Sequence, residues 1–273
     1  DIVSNVSSKP ENDPNTIKKL LINQICSTVR WRESIINMSE KKVTDYIEIG
    51  PGKGALTKYI LSQKPKSLIV IEKDNLFAKE LLFKFKKEKN IKVFNKDVLK
   101  FNFEKIIKKN TIIFGNLPYN ISSQILIKLI KSQVWPPKFT DLILMFQKEM
   151  AQRIIGKFGT KDYGRLSILS NYRLKYKEKF NVSPNCFFPK PKINSTVLHL
   201  QPKNRKNEIR KIENLEKITS IFFSQRRKMI KKSINKIFKK KSSDLFYNLD
   251  LKLRPENLTP DQYYDITKEY ESN

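Results

Sequence analysis

Short apolar runs alternate with helical patterns between Tyr46 and Phe146, and no other feature constrains the fold as tightly. Tyr46–Ile49, Ser67–Glu72, Ile91–Asn95, Thr111–Gly115 and Asp141–Phe146 read as strands bounded by turn residues. Ala55–Gln63, Asp74 to about Glu88 and Ile121–Lys131 read as helices between them. Two strands joined through a crossover helix pair in parallel. The alternation therefore predicts an α/β fold with a doubly wound, Rossmann-like, mostly parallel sheet. From about Asn204 the pattern turns helical. Ile209, Ile212, Leu215, Ile218, Ile221 and Phe222 make one apolar stripe, and Met229, Ile230, Ile234 and Phe238 follow among basic residues. Three parts result: a polar arm over 1–14, a sheet domain over 15–203 and a smaller all-helical domain over 204–273. In the second of these, Ile17, Leu20, Leu21, Ile25 and Val29 predict an opening helix.

The fourth strand ends in a distinctive way. Pro118 cannot donate to a sheet ladder, so Asn116, Pro118 and Tyr119 collect at the carboxyl end of a strand, where open α/β sheets keep ligands. This grouping suits transfer to the exocyclic amine of a nucleobase. Such an amine is a poor nucleophile because its lone pair is delocalised into the ring. The Asn116 side-chain oxygen and the carbonyl of Leu117 or Pro118 can accept its two N–H groups. These fixed dipoles favour positive charge developing on the nitrogen. Tyr119 would stack on the base, which must leave its own stack to be reached. By itself the segment is equally well a strand followed by a proline turn.

Glycines and acids at the other strand ends narrow the ligand. Gly50-Pro51-Gly52-Lys53-Gly54 separates the first strand from its helix, and such glycines let backbone approach a ligand closely. Gly50, Gly52 and Ala55 satisfy the relaxed dinucleotide pattern, so this loop alone does not exclude NAD. Glu72 lies about 20 residues on, where an acid grips ribose hydroxyls. Glu48 stands two residues before Gly50, where a carboxylate would repel a pyrophosphate and suit a cofactor with a cationic amino-acid tail. Asp97, followed by Val98, follows the third strand and offers an acceptor for an adenine amine. Together the set favours S-adenosyl-L-methionine over NAD, although Glu72 or Asp97 taken singly reads as an ordinary helix cap.

Fifty-five Lys and Arg face 27 Asp and Glu, a net charge of +28. A field of that sign favours nucleic acid, while a lysine-rich coding bias would decorate the surface in the same way. The two cysteines, Cys26 and Cys186, make no disulfide framework and no metal-ligand cluster, so no metal is expected and a reducing compartment is. No apolar run approaches the roughly 18 residues of a membrane span. The amino-terminal DIVSNVSSKPENDP has no apolar segment of the secretory kind. The expectation is a monomer that is neither secreted nor membrane-bound.

EIGPGKGALT, the acids of VIEKD and NKDVL, and GNLPYNIS, in this order, resemble the ribosomal RNA small-subunit adenine dimethyltransferases. LMFQKEMAQRI, KDYGRLSIL, CFFPKPKINSTV, FFSQRRKMIKKSI and RPENLTPDQY extend the resemblance to nearly the whole chain, on the side of its bacterial and organellar branch. The resemblance implies an S-adenosyl-L-methionine-dependent methyltransferase that dimethylates two adjacent adenosines near the 3′ end of small-subunit rRNA, with a role in subunit biogenesis. It implies cofactor contacts from Gly50, Glu72, Asp97 and Asn116, to which the residue reading adds Glu48, Gly52 and Val98. Asn116 and the Leu117–Pro118 backbone would receive the target amine, with Tyr119 on one side of the base and Phe187, the first aromatic of FFPKP, on the other. The compartment would be a bacterial cytoplasm or a mitochondrial or plastid matrix.

One departure stands out. The family carries Gly-Gln-Asn-Phe-Leu before the Asp-Pro-Asn that opens its first helix, whereas Ser8-Lys9-Pro10-Glu11-Asn12 precedes Asp13-Pro14-Asn15 here. A weakened cofactor lid would leave slow dimethylation, or a family member retired to binding as an assembly or transcription-type factor. A DNA adenine methyltransferase is a further alternative, but those carry Pro where this chain has Leu117. Arg226, Arg227, Lys228, Lys231 and Lys232 are dense enough for phosphate contacts. Neutralising Arg226, Arg227 and Lys228 together is expected to reduce the slope of log affinity against log salt by roughly two to three units. Titrations of small-subunit rRNA across a salt series check this, and an unchanged slope means a merely solvated face.

Overall fold

The computed structural model describes residues 2–3, 10–11, 45–186, 192–204, 209–238 and 249–273. The helix expected from Asn15, the lid segment apart from Pro10–Glu11, and Phe187 lie outside them. Near the amino terminus β1 (Ile2–Val3) pairs antiparallel with β2 (Pro10–Glu11). β3 (Asp45–Ile49), β4 (Ser67–Glu72), β5 (Ile91–Asn95), β6 (Thr111–Asn116), β7 (Phe139–Gln147), β8 (Leu174–Val182) and β9 (Ser195–Pro202) form one sheet in the order β5-β4-β3-β6-β7-β9-β8. The five strands from β5 to β7 all run parallel. β3, β6 and β7 are buried almost throughout, which is why they read as continuous apolar runs rather than as alternating ones.

Most expected elements hold, with shifted ends. The helices α1 (Ala55–Ser62), α2 (Asn75–Lys84) and α3 (Ser122–Ile130) follow β3, β4 and β6. Asp74 caps α2 by accepting from the amides of Leu76 and Phe77 at 2.8 and 3.0 Å. That helix stops four residues short of Glu88, because the Lys86 and Glu88 amides turn back to carbonyls three residues earlier. β6 runs one residue further than expected, through Asn116, which still pairs with Met145 of β7 before Pro118 intervenes. β7 gains Phe139–Thr140 and Gln147 at its ends. The basic stretch after Phe223 is interrupted by a turn, closed by the Lys228 amide on the Gln225 carbonyl at 2.8 Å. Met229 therefore faces solvent, 56% exposed, while Ile230, Ile234 and Phe238 are buried as expected.

The described chain clusters into two compact units. One contains the described residues within 1–119, 138–148 and 178–199, and the other those within 120–137, 149–177 and 200–273. In the first, Tyr46, Leu56, Ile60, Leu68, Val70, Leu81, Ile112 and Phe114 form the core that seats α1 and α2. The second holds α3, α4 (Lys148–Ile154) beyond its first residue, α5 (Arg165–Arg173), α6 (Ile212–Phe223), α7 (Lys231–Ile237) and α8 (Pro260–Ser272). Its core is rich in tyrosine, and two of the buried hydroxyls donate to carbonyls: Tyr163 to Leu258 and Tyr263 to Pro255, both at 2.8 Å. Burial raises the hydroxyl pKa of both. Arg173 is buried, donates to the carbonyls of Ile130 and Ser132 at the end of α3, and lies over the Trp135 ring at 4.6 Å. Its charge compensates the carbonyl end of that helix.

α1 has no side-chain cap. Gly54 fills the position with φ +75, and a Cβ there would stand 2.7 Å from Leu81 Cδ2 and 3.0 Å from a Phe85 ring carbon. Gly54→Ala combines left-handed strain with overpacking and is expected to cost about 2 kcal/mol. Thermal melts should show a loss of about 4–8 °C. A melting point equal to that of the parent chain would mean that α2 yields without cost.

Candidate functional site

Parallel pairing brings four strand ends to one edge of the sheet. Glu72 sits opposite Asn95, Ile49 lies between Ile71 and Gly115, and Gly50, Lys73, Lys96 and Leu117 come next along their strands. Three interstrand spacings give this edge a width of about 14 Å. β3 has β4 on one side and β6 on the other, so the strand order reverses here, at the switch point where such sheets take ligands.

Glu72 is the hub of the edge. One carboxylate oxygen accepts from the Gly52 amide at 3.0 Å and the other from the Asp74 amide at 2.9 Å. Glu72 is therefore not the helix cap; Asp74 is. Gly50, Gly52 and Gly54 all have positive φ, which coils the loop tightly enough for the Gly52 amide to reach β4. A Cβ at Gly50 would enter the gap in front of the Asn116 carbonyl, 3.6 Å away, and of Pro118 Cδ. Past β4 an open depression of about 510 Å³ is lined by Glu72, Lys73, Asp74, Asn75 and Leu76.

Beneath the loop, Glu48 is 2% exposed and accepts from the Thr57 hydroxyl at 2.6 Å. Burial pushes its carboxyl up from the ordinary 4.5 to about 7; the Thr57 hydrogen bond pulls the other way and the Glu72 charge adds to the rise. Asp97 accepts from Lys73 Nζ at 2.9 Å and from the Leu99 amide at 2.9 Å, and the Lys73 ammonium holds its carboxyl below the usual range. Val98 is buried beside it. Asn116 and Pro118 are exposed, Tyr119 is half-buried, and the Leu117 side chain is buried, so Leu117 presents only backbone.

The structure thus places Glu48, Gly50, Gly52, Glu72, Asp97, Val98 and the Asn116–Tyr119 turn along a single edge. Four contributors went unread in the sequence. Thr57 partners Glu48. Asn95 donates to the carbonyls of Glu72 and Lys73 at 3.1 Å. Lys73 pairs with Asp97. Ser195, fully buried, shares a 2.6 Å hydrogen bond with the Tyr119 hydroxyl. Only Thr57 left a signal, being the one polar residue on the inner face of α1. His199 hydrogen-bonds to Asp141 at 2.6 Å on the same sheet. Within the helical unit Arg226, Arg227, Lys228, Lys231 and Lys232 are all exposed. Of these, Arg226 donates to Glu256 at 2.8 Å.

The edge fits an S-adenosyl-L-methionine-type cofactor by its donor chemistry: Glu72 keeps free lone pairs on both oxygens for a diol, and Gly50 leaves a gap that a side chain would fill. Sheet and edge together define a Rossmann-like, S-adenosylmethionine-dependent methyltransferase. Comparison with known proteins carries this further. Residues 15–272 match the family model described as ribosomal RNA adenine dimethylase. The ribosomal RNA small subunit methyltransferase A of Pelagibacter ubique is 47% identical over 244 residues, 88% of this chain and 91% of that one. Its counterpart in Malacoplasma penetrans is 40% identical over 237 residues, covering 85% and 84%. The crystal structure of a dimethyladenosine transferase from Plasmodium falciparum superposes with a TM-score of 0.72 at 26% identity, covering 90% of this chain and 97% of that one. The chain belongs to the ribosomal RNA adenine dimethylase family.

Glu48 also ties stability to pH. Its folded pKa is raised, so its contribution is complete below about pH 4.5 and is lost as pH rises through about 7. The loss amounts to about 3 kcal/mol. Urea unfolding of the cofactor-free protein is expected to show Glu48→Gln gaining on the parent chain by up to that amount between pH 5 and pH 8. Parallel stability curves for the two proteins would place the charge elsewhere.

Proposed function

We propose that the protein transfers methyl groups from S-adenosyl-L-methionine to N6 of two adjacent adenosines near the 3′ end of small-subunit rRNA, with a role in subunit biogenesis. The observation that carries this reading is the convergence of Gly50, Glu72, Asp97 and the Asn116–Tyr119 turn on four neighbouring strand ends. The relatives' names point to the same substrate. A binding factor released from catalysis would have no need to keep all four.

Glu72 holds the ribose diol, and Asp97 takes the adenine amine once Lys73 swings aside. Gly50 and Gly52 let the backbone pass close to the cofactor, Val98 packs against its base, and Glu48 lies beneath its amino-acid tail, whose cationic amine would draw the buried carboxyl towards its ionised form. When bound, the cofactor supplies a methyl group activated for attack by nitrogen. Asn116 and the carbonyl of Leu117 or Pro118 accept the two N–H groups of the target amine and aim its lone pair. Tyr119 stacks on the flipped adenine, and Phe187 closes its other face. The amine's proton leaves to water after attack, so no general base is required. Arg226, Arg227, Lys228, Lys231 and Lys232 bind rRNA phosphates as part of a helical domain over 204–273 that follows the methyltransferase domain over 15–203. The protein works as a monomer, without a metal, and in a bacterial cell its place is the cytoplasm with the small subunit.

Asn116→Ala is expected to lower the methylation rate by about 10²–10³ with the fold intact. Incubating parent and variant with unmethylated small subunits and labelled S-adenosyl-L-methionine checks this. Equal labelling removes Asn116 from the chemistry, and no adenine label from the parent chain overturns the dimethylation reading.

A further inference from the structure

We propose that Ser195 is a positioning residue for methyl transfer, its buried hydroxyl holding the Tyr119 ring at the angle on which the target base stacks. The inference rests on the reading of Tyr119 given above and goes beyond it.

The Tyr119 hydroxyl and Ser195 Oγ stand 2.6 Å apart, a short hydrogen bond between neutral groups. Stacking does not need that hydroxyl, since a phenylalanine ring offers the same π face. What the hydroxyl adds is an anchor at the far end of the ring. Pro118 fixes its own φ just before Tyr119, but the side chain still turns about two torsions. A tether at the ring's tip fixes the first torsion, and because a phenol hydroxyl keeps its hydrogen bonds near the ring plane, it restrains the second.

The anchor itself is well held. Ser195 is 0% exposed and opens β9, next to β7 in the sheet. Just before it, the Asn194 carbonyl accepts from the Lys148 amide at 3.0 Å. Just after it, Thr196 donates to the Asn181 side chain at 2.9 Å. Tyr119, Ser195 and all four of these flanking residues belong to the same compact unit. The ring is thus fixed from a strand that carries none of the cofactor residues. Two methyl groups must reach one nitrogen, so the ring has to receive first adenine and then the bulkier monomethyl base at the same angle. A loose ring would penalise the second transfer more than the first.

The test compares the parent chain, Ser195→Ala, Tyr119→Phe and the double variant on unmethylated small subunits with labelled S-adenosyl-L-methionine. Measured are kcat, KM for the cofactor, the ratio of dimethyl to monomethyl adenine, and Tm. Each single variant is expected to lose about tenfold in kcat with cofactor KM within twofold of the parent, and to leave more monomethyl product. The double variant should be no worse than either single one, because both remove the same bond. Parent-like kcat and product ratio in Tyr119→Phe overturn the proposal, even where Ser195→Ala loses activity through a lowered Tm. Losses that multiply in the double variant also overturn it, since they show Ser195 acting apart from Tyr119. Absence of label with the parent chain is a different result and strikes the dimethylation reading itself.

Discussion

Glu72 accepts from the Gly52 and Asp74 amides together, and the geometry of the edge follows from that pair of bonds. The first pulls the loop after β3 against the end of β4. The second turns the chain at the end of β4 so that Asp74 can cap α2. Hydrogen bonds to a carboxylate are among the stronger ones available to backbone amides, and here they join two loops rather than extending one element. The loop can lie this close only because its glycines adopt left-handed angles, and α1 then starts without a side-chain cap. In the function proposed above, the carboxylate that holds the chain would also hold the ribose.

The electrostatics of the edge run against those of the molecule. The chain carries +28, yet Glu48, Glu72, Asp74 and Asp97 gather at these strand ends, and Lys73 is drawn in as a counter-charge. The chain as a whole attracts a polyanion, while the acids gathered at the ends of β3, β4 and β5 suit a ligand with a cationic centre. One chain can in this way hold two charged substrates without confusing their places.

The strand–helix alternation was legible because parallel strands buried on both faces leave unbroken apolar runs, as in Tyr46–Ile49 and Asp141–Phe146. Residues with a fixed offset from a turn were legible too: Gly50 and Gly52 after the first strand, Glu72 ending the second, Asn116 before Pro118. Residues acting across the sequence were not. Ser195 meets Tyr119 from 76 positions away, and Lys73 reaches Asp97 over 24, contacts that no local pattern encodes. The end of α2 was misplaced because Phe85–Glu88 keeps helical composition while its hydrogen bonds tighten to three-residue turns. Met229 was misread because the turn after Phe223 breaks the period on which its burial depended.

The pairing of Lys73 with Asp97 bears on how the proposed cofactor site would fill. The carboxylate proposed to take the adenine amine is already satisfied by an ammonium whose side chain is 72% exposed. Exposed ion pairs contribute little, and rotamer hops of a surface lysine take picoseconds to nanoseconds, faster than a ligand arrives. On the proposed function, the adenine amine would therefore take the place of the ammonium on Asp97 rather than add to it. Lys73 keeps the acid ionised, and in the proposed function it would serve as a placeholder until the nucleoside displaces it.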